Sequence, residues 1–242
     1  MMIGGLVDRV LADNEETFVP LLLSDVAVHG GLRLEDGDEL CLAGVAVPIS
    51  SGLTSGEPAW QSEWHKIIER GAFGYQAGQP ALTDRYGCRH GLPRNAYGVP
   101  LQHDLLAAGW AMVDPLSAPD EPSALDAMFA LEAEARDAGL GIWGASELLP
   151  KSADDLDAWI GMHQLMEGEV RRISNNKRYV YLNFGSDWRT DFTARLDRKM
   201  IKRTGLDEAM FDGKKLRLRG VIEESRGPLM TITHPKQIEI LP

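Results

Sequence analysis

The 242-residue chain has little cysteine. Its only two, Cys41 and Cys88, exclude a disulfide-rich scaffold and a four-cysteine zinc site. No apolar run approaches the roughly 18 residues that a membrane span requires, so we expect no membrane partner. The motifs GxGxxG, GxxxxGKS/T, HExxH and GxSxG are absent, which argues against the commonest dinucleotide, phosphate-loop, zinc-protease and serine-hydrolase classes. Asp8 and Arg9 precede any apolar signal core, which favours a cytoplasmic location and leaves export open if a signal was removed.

Positive charge is scarce in the first part of the chain and concentrated in the last. The net charge is −11, with 44% hydrophobic and 25% charged residues, a composition typical of globular proteins. Residues 1–150 carry 8 Lys and Arg against 22 Asp and Glu, whereas residues 151–242 carry 17 against 14. This asymmetry predicts an acidic first module and a basic second module, and the second is the better candidate for binding a polyanion.

Composition and turn signals divide the chain into four segments. We predict an N-terminal extension over 1–25, a first domain over 26–145, a linker over 146–166 and a basic second domain over 167–242. In the first domain, apolar residues at helical spacing predict helices that begin near Pro58, at Pro100 and at Ser123, with Ser123 as a cap. The residues from 18 to 49 predict strands around a turn at Asp36-Gly37.

The second module shows the period of two that is typical of strands. Strands are predicted at 169–173, 179–183, 191–196, 214–222 and 229–233, with a last run at 238–241 and a helical stretch near 198–211. Five strands with a helix after the third is the order of an OB-fold, a small barrel that often binds oligonucleotides. We therefore expect a mainly β protein with helices (α+β), in which the second module is an OB-like five-stranded barrel.

Several segments of the first module resemble the thermonuclease (staphylococcal nuclease-like) family. They are GLRLEDGDELCLAGVAVP at 31–48, TDRYGC at 83–88, and LQHDLLAAGWAMV at 101–113 followed by ALEAEARDAGLGIWG at 130–144. In the second module, YLNFGSDWRTDFT at 181–193 resembles the trailing domain of some two-domain bacterial members. The resemblance implies an OB-like five-stranded barrel with about three helices over about residues 26–144. With the second module, the protein would then consist of two OB-like five-stranded barrels.

The family hydrolyses phosphodiesters with a calcium ion held by two aspartates, a glutamate that activates water, and two arginines that neutralise the phosphate. At the matching positions this chain has Gly30, Cys41, Ala46, Ile49 and Cys88. These side chains neither bind a hard cation nor replace a guanidinium. The resemblance therefore implies a nuclease-like fold without catalytic residues and without a cofactor.

A rearranged calcium-dependent site is an alternative interpretation, and it needs substitutes for the missing residues. Asp13 or Glu16 would take the place of the first aspartate, and Arg89 would replace the second arginine.

The two cysteines have several possible roles. We expect Cys41 and Cys88 to fill a shrunken pocket without a disulfide, because the family's two arginines approach the phosphate from different sides. Less specific alternatives pair Cys88 with His90, and with Asp84, as a nucleophile and its base, or place both cysteines and His90 at a zinc ion.

One strand of the second module predicts a positive stripe. In 214–222, leucine and isoleucine alternate with Lys215, Arg217 and Arg219, which we expect on the outer face. The predicted nucleic-acid-binding set comprises Arg171, Arg172, Lys177, Arg178, Tyr181, Trp188, Arg189, Lys215, Arg217 and Arg219. A basic groove with aromatic platforms suits single-stranded nucleic acid.

The sequence thus favours a non-catalytic nucleic-acid-binding or accessory protein. Single-stranded DNA or RNA would bind the second module, and the first would act as a scaffold or contact a protein partner. The alternatives are an active metal-dependent phosphodiesterase with a rearranged site and a protein-interaction scaffold.

Overall fold

Strands and short helices alternate along the chain, giving a mixed α+β protein. The computed structural model describes residues 18–27, 30–47, 59–76, 82–83, 88–119, 121–144, 152–153, 156, 159–187 and 189–242. Asp13, Glu16, Ile49, Asp84 and Trp188, which the sequence singles out, lie outside these residues.

The described strands of the first module form one five-stranded sheet and two strand pairs. They are β1 (Phe18–Pro20), β2 (Leu23–Val26), β3 (Gly31–Leu34), β4 (Glu39–Leu42), β5 (Val45–Ala46), β6 (Gly74–Gln76), β7 (Leu82–Thr83), β8 (Arg89–Gly91) and β9 (Met112–Val113). The sheet order is β2-β3-β4-β8-β7, with β4 and β8 parallel, while β1 pairs with β6 and β5 with β9. Gly37 has φ +91° in the β3–β4 turn, which confirms the predicted Asp-Gly turn.

Three helices cover this sheet, at positions close to the predicted ones. They are α1 (Ala59–Gly71), α2 (Leu101–Ala107) and α3 (Pro122–Asp137). α1 buries Trp60, Trp64 and Ile68 at helical spacing in the core of the first module. The prediction that Ser123 caps α3 is wrong, because the helix begins at Pro122 and the Ser123 hydroxyl donates to Glu121 at 2.8 Å.

The second module is built on a seven-stranded sheet. Its strands are β10 (His163–Glu169), β11 (Arg172–Asn175), β12 (Tyr179–Asn183), β13 (Thr193–Asp197), β14 (Lys215–Ser225), β15 (Gly227–Ile232) and β16 (Ile238–Ile240). The order is β10-β14-β15-β13-β12-β11, with β16 also on β14 and with β13 and β15 parallel. The path begins at β10 and ends at β11, which only Val170 and Arg171 separate in the chain.

Two predicted elements of the second module differ from those observed. The strand predicted at 169–173 falls on the end of β10, a two-residue break and the start of β11. The helical stretch predicted near 198–211 is α4 (Arg198–Thr204) and a separate 3₁₀ turn at Glu208–Phe211. Gly205 ends α4 with φ +69°, a left-handed conformation that glycine adopts without steric cost.

Each module has its own apolar core, and a smaller cluster joins the two. Leu156 and Met166, in the stretch predicted as a linker, are buried in the core of the second module. The joining cluster contains Met112 and Ile142 from the first module and Leu165 from the second. Among the described residues, no helix is both long enough and apolar enough to cross a membrane.

Candidate functional site

One outward face of the second module's sheet brings aromatic, cationic and hydroxyl side chains together. Two rows cross β11, β12 and β13: Ser174, Tyr181 and Arg195 in the first, and Arg172, Asn183 and Thr193 in the second. Paired residues on neighbouring strands project to the same face, so each row forms a continuous strip. Residues of the opposite parity, such as Val180, Leu182 and Leu196, are buried in the core. Period-two alternation therefore fixes which side chains this face presents.

Two tyrosines and two arginines form the centre of this face. The rings of Tyr179 and Tyr181 meet edge to face, with centroids 6.2 Å apart. The guanidinium carbons of Arg178 and Arg195 lie 5.2 and 4.9 Å from the Tyr179 ring centroid, within the range of a cation–π contact. Arg195 also donates to the Thr231 hydroxyl at 2.8 Å and to the Glu223 carboxylate at 3.4 Å, so its charge is partly neutralised. The two arginines thus contact the ring of Tyr179, and Tyr181 packs against the same ring.

A groove of about 500 Å³ lies next to Tyr181. Its lining residues come from β11, β12, β13 and the β14–β15 turn: Arg172, Ser174, Tyr181, Asn183, Thr193, Ser225, Arg226 and Leu229. The Asn183 amide nitrogen donates to the Arg172 carbonyl oxygen at 3.1 Å, and its oxygen accepts from the Thr193 hydroxyl at 3.4 Å. These hydrogen bonds hold the polar side chains of Asn183 and Thr193 in place in the groove, next to Arg172.

The β11–β12 turn places two more cations beside the groove. Asn176 Oδ1 accepts from the backbone amides of Arg178 at 2.8 Å and Tyr179 at 2.7 Å, and its side-chain nitrogen donates to the Tyr181 hydroxyl at 3.2 Å. Lys177 is exposed within this turn. One asparagine therefore holds both the turn that carries Lys177 and Arg178 and the ring of Tyr181.

The predicted positive stripe on β14 is largely neutralised. Arg217 donates to Glu167 at 2.7 Å and to Glu239 at 2.9 Å, and its side chain is only 13% exposed. Lys215 lies 3.3 Å from the other oxygen of Glu167. Burial opposes charge on both partners, but their hydrogen bonds prevail, so the pKa of Glu167 is lowered and that of Arg217 is raised.

Arg219 does not face solvent, which corrects its assignment to the nucleic-acid-binding set. Its two terminal nitrogens donate to the two oxygens of Glu132 on α3, each at 2.8 Å, and both side chains are nearly inaccessible. Glu132 also accepts from the Val113 amide at 2.6 Å and from Arg136 at 3.2 Å. Arg219 is buried because α3 of the first module packs over this part of β14, at the junction of the two modules.

The remaining predicted cations lie outside the groove. Arg171 donates from Nε to the Phe184 carbonyl oxygen at 3.1 Å. Arg189 lies in the β12–β13 loop, with a guanidinium nitrogen 3.8 Å from Asp187. Arg172 and Tyr181 are thus the predicted residues that line the groove together, while Arg178 contacts Tyr179 next to Tyr181 and Lys177 lies in the same turn.

The positions matched to the nuclease site carry no carboxylate or guanidinium in the described part of the chain. Gly30 adopts φ +86°, and a Cβ there would lie 3.1 Å from Val47. Ala46 is part of β5. Arg89, the alternative to the second arginine, is paired with Asp38 on the surface.

Cys41 and Cys88 form a disulfide, with Cα atoms 5.8 Å apart, and the expectation that they stay unbridged is wrong. The parallel pairing of β4 with β8 sets Cys41 opposite His90, two residues after Cys88, and so brings the cysteines close. In this oxidised form Cys88 offers no thiolate as a nucleophile or metal ligand.

A half-buried carboxylate, that of Asp114, lies near the junction of the modules. His163 Nε2 is 3.7 Å from Asp114 Oδ1, and the Ser117 hydroxyl donates to Asp114 at 2.8 Å. Burial acts to raise the pKa of Asp114, but the attraction of His163 and hydrogen bonds from Ser117 and the Leu116 amide prevail and lower it to about 2. Asp114 is therefore charged in the folded protein at neutral pH.

Sequence reasoning left Arg195, Asn183, Thr193 and Arg226 out of the predicted set. The first three share the outward parity of Tyr179 and Tyr181, so strand register would have found them. Arg226 adopts φ +69° in the tight β14–β15 turn, and only the fold places that turn beside β12.

No family model matches the chain, and a search of curated proteins finds no significant match.

Proposed function

We propose that this chain is a non-catalytic nucleic-acid-binding or accessory protein that binds single strands on the face formed by β11, β12 and β13. The observation that carries the proposal is a groove lined by Tyr181, Arg172 and Arg226, with Arg178 and Arg195 on the adjacent ring of Tyr179. An aromatic ring offers a stacking platform for any base, and guanidinium groups neutralise phosphates.

We further propose that the second module is OB-like. If β10 and β11 count as one bent strand, each strand has a neighbour on both sides, in the order 1-2-3-5-4-1. The parallel pairing of β13 with β15 and the position of α4 between the third and fourth strands support this interpretation. The candidate groove then lies where OB-folds often bind oligonucleotides, at strands 2 and 3 and the turns beside them.

The first module, in this proposal, is a thermonuclease-like domain that has lost its catalytic groups. The parallel β4–β8 pair after a meander of β2, β3 and β4, followed by α2 and α3, agrees with that resemblance. Gly30, Ala46 and the Cys41–Cys88 disulfide supply neither calcium ligands nor phosphate-binding charge. Its part in the function is to support the second module across the junction.

Fluorescence anisotropy with labelled single-stranded DNA, single-stranded RNA and duplex DNA of matched length tests the proposal. We expect binding of the single strands to exceed duplex binding. Three phosphate contacts, from Arg172, Arg178 and Arg226, would give a slope of log K against log salt of about −2, since each contact on a single strand contributes about −0.7.

The same mixtures, incubated with calcium, magnesium or EDTA and run on a gel, report cleavage. Binding without cleavage is the expected result. Metal-dependent cleavage would overturn the non-catalytic assignment and favour an active phosphodiesterase, and the absence of binding would favour a protein-interaction scaffold.

A further inference from the structure

A second cluster with its own chemistry lies on the first module, away from the groove. The oxygens and sulfurs of Glu39, Cys41 and Cys88 lie within 4.8 Å of one another. Glu39 and Cys41 are two residues apart on β4, so their side chains project to the same face of the sheet. The register sets His90 of β8 opposite Cys41.

We propose that reduction of the Cys41–Cys88 disulfide converts this cluster into a zinc site. The two thiolates and the Glu39 carboxylate would be three ligands, and a water molecule would be the fourth. Two sulfurs and a carboxylate are ligand types that Zn²⁺ accepts in tetrahedral sites. Thiolates disfavour calcium and magnesium, so the site differs in metal class from a calcium-dependent nuclease site.

The reaction is a thiol–disulfide exchange followed by metal binding. A dithiol reductant supplies two electrons and two protons, which break the Cys41–Cys88 bond, and the reductant becomes a disulfide. Zn²⁺ then displaces the two thiol protons, which leave to solvent as the two sulfur–metal bonds form. The two sulfurs can therefore form either the disulfide bond or the two bonds to zinc, and not both at once.

The burial of the cluster favours metal binding once the disulfide is reduced. Cys88 is buried and Cys41 and Glu39 are half-buried, so the three groups need little movement to surround an ion. Both strands belong to the five-stranded sheet, which holds the ligands on a rigid support. Arg33 Nε lies 4.0 Å from Glu39, on an exposed side chain that can turn away.

The test titrates Co²⁺, a spectroscopic substitute for Zn²⁺, into the full chain before and after reduction and anaerobic removal of the reductant. We expect one equivalent to bind the reduced protein, with thiolate-to-cobalt charge-transfer absorption that Zn²⁺ abolishes. The oxidised protein should show no such absorption. A reduced protein that binds no Co²⁺ would overturn the proposal.

Two variants separate ligand loss from unfolding. Glu39→Gln keeps both cysteines and should weaken Zn²⁺ binding by at least the roughly 10–100-fold that loss of an outer-shell partner costs. Cys41→Ser/Cys88→Ser should lose the charge-transfer absorption, with far-UV circular dichroism as the check on folding. Unchanged metal affinity in Glu39→Gln would contradict the assignment of Glu39 as a ligand.

Discussion

Glu132 shows how a single residue joins the two modules. Its carboxylate accepts from Arg219 of the second module and from the Val113 amide and Arg136 of the first. Every acceptor position is used, so the buried charge is fully compensated. A buried ion pair adds little net stability over an apolar pair of the same volume, but its disruption leaves one charge alone in the interior.

We predict that Glu132→Gln lowers the free energy of unfolding by about 3–5 kcal/mol, because Arg219 remains buried and charged without its partner. Urea denaturation followed by circular dichroism measures the change. The double variant Glu132→Leu/Arg219→Met should recover most of the loss.

The matched control is a second ion pair between the modules, which is exposed. Lys236 lies 2.7 Å from Asp126, and both side chains are more than half exposed. Lys236→Met should cost less than about 1 kcal/mol. Equal losses for Lys236→Met and Glu132→Gln would contradict this account of the junction.

Asp114 makes stability depend on pH in the acid range. Its pKa is about 2 in the folded protein against a reference value of 3.8, so its contribution is complete above pH 3.8 and is lost as the pH falls toward 2. That contribution is on the order of 2 kcal/mol. Thermal unfolding of the wild type and Asp114→Asn should differ most at neutral pH and converge near pH 2. A constant difference across this range would show that Asp114 does not titrate as described.

At the scale of the element, β14 shows what the sequence can predict and where it fails. The alternation of Leu216 and Leu218 with Arg217 and Arg219 correctly predicts which side faces the core. It does not predict that α3 packs over the other side at Arg219, since that contact joins residues 87 apart in sequence. Local periodicity determines which side chains of a strand face the core, whereas the element that packs on the opposite face depends on the whole fold.

The same limit applies to the candidate site and to the cysteines. Arg178 and Tyr181 were predictable because the β11–β12 turn and β12 are local. The disulfide depends on β8 lying parallel to β4, a pairing between distant segments that composition and spacing do not reveal.

The disulfide between β4 and the start of β8 spans a sequence separation of 47 residues. We predict that its reduction lowers the free energy of unfolding by about 2–4 kcal/mol, chiefly because the unfolded chain regains conformational freedom. Guanidinium denaturation with and without a reductant, in a metal-free buffer, measures the difference. The reductant should leave Cys41→Ser/Cys88→Ser unaffected, and an equal effect on that variant would point to another cause.

At the scale of the whole molecule, charge and function are divided between the modules. Residues 1–150 carry a large excess of acidic side chains, and residues 151–242 a small excess of basic ones. Glu132 of the first module neutralises Arg219, and Glu167 and Glu239, which are already counted in that balance, neutralise Arg217. The candidate groove therefore depends on a few arginines placed around Tyr181, and a general positive field contributes little.

The most direct test compares the affinity of labelled single-stranded DNA and RNA for the wild type, Tyr181→Ala and Lys215→Ala, by anisotropy at one fixed salt concentration. We predict that Tyr181→Ala loses about 1–3 kcal/mol of binding free energy, the usual contribution of one stacked base. Lys215→Ala, which removes an exposed cation outside the groove, should bind nearly as the wild type does. Equal affinities for Tyr181→Ala and the wild type, or a larger loss in Lys215→Ala, would contradict the assignment of this face as the nucleic-acid-binding site.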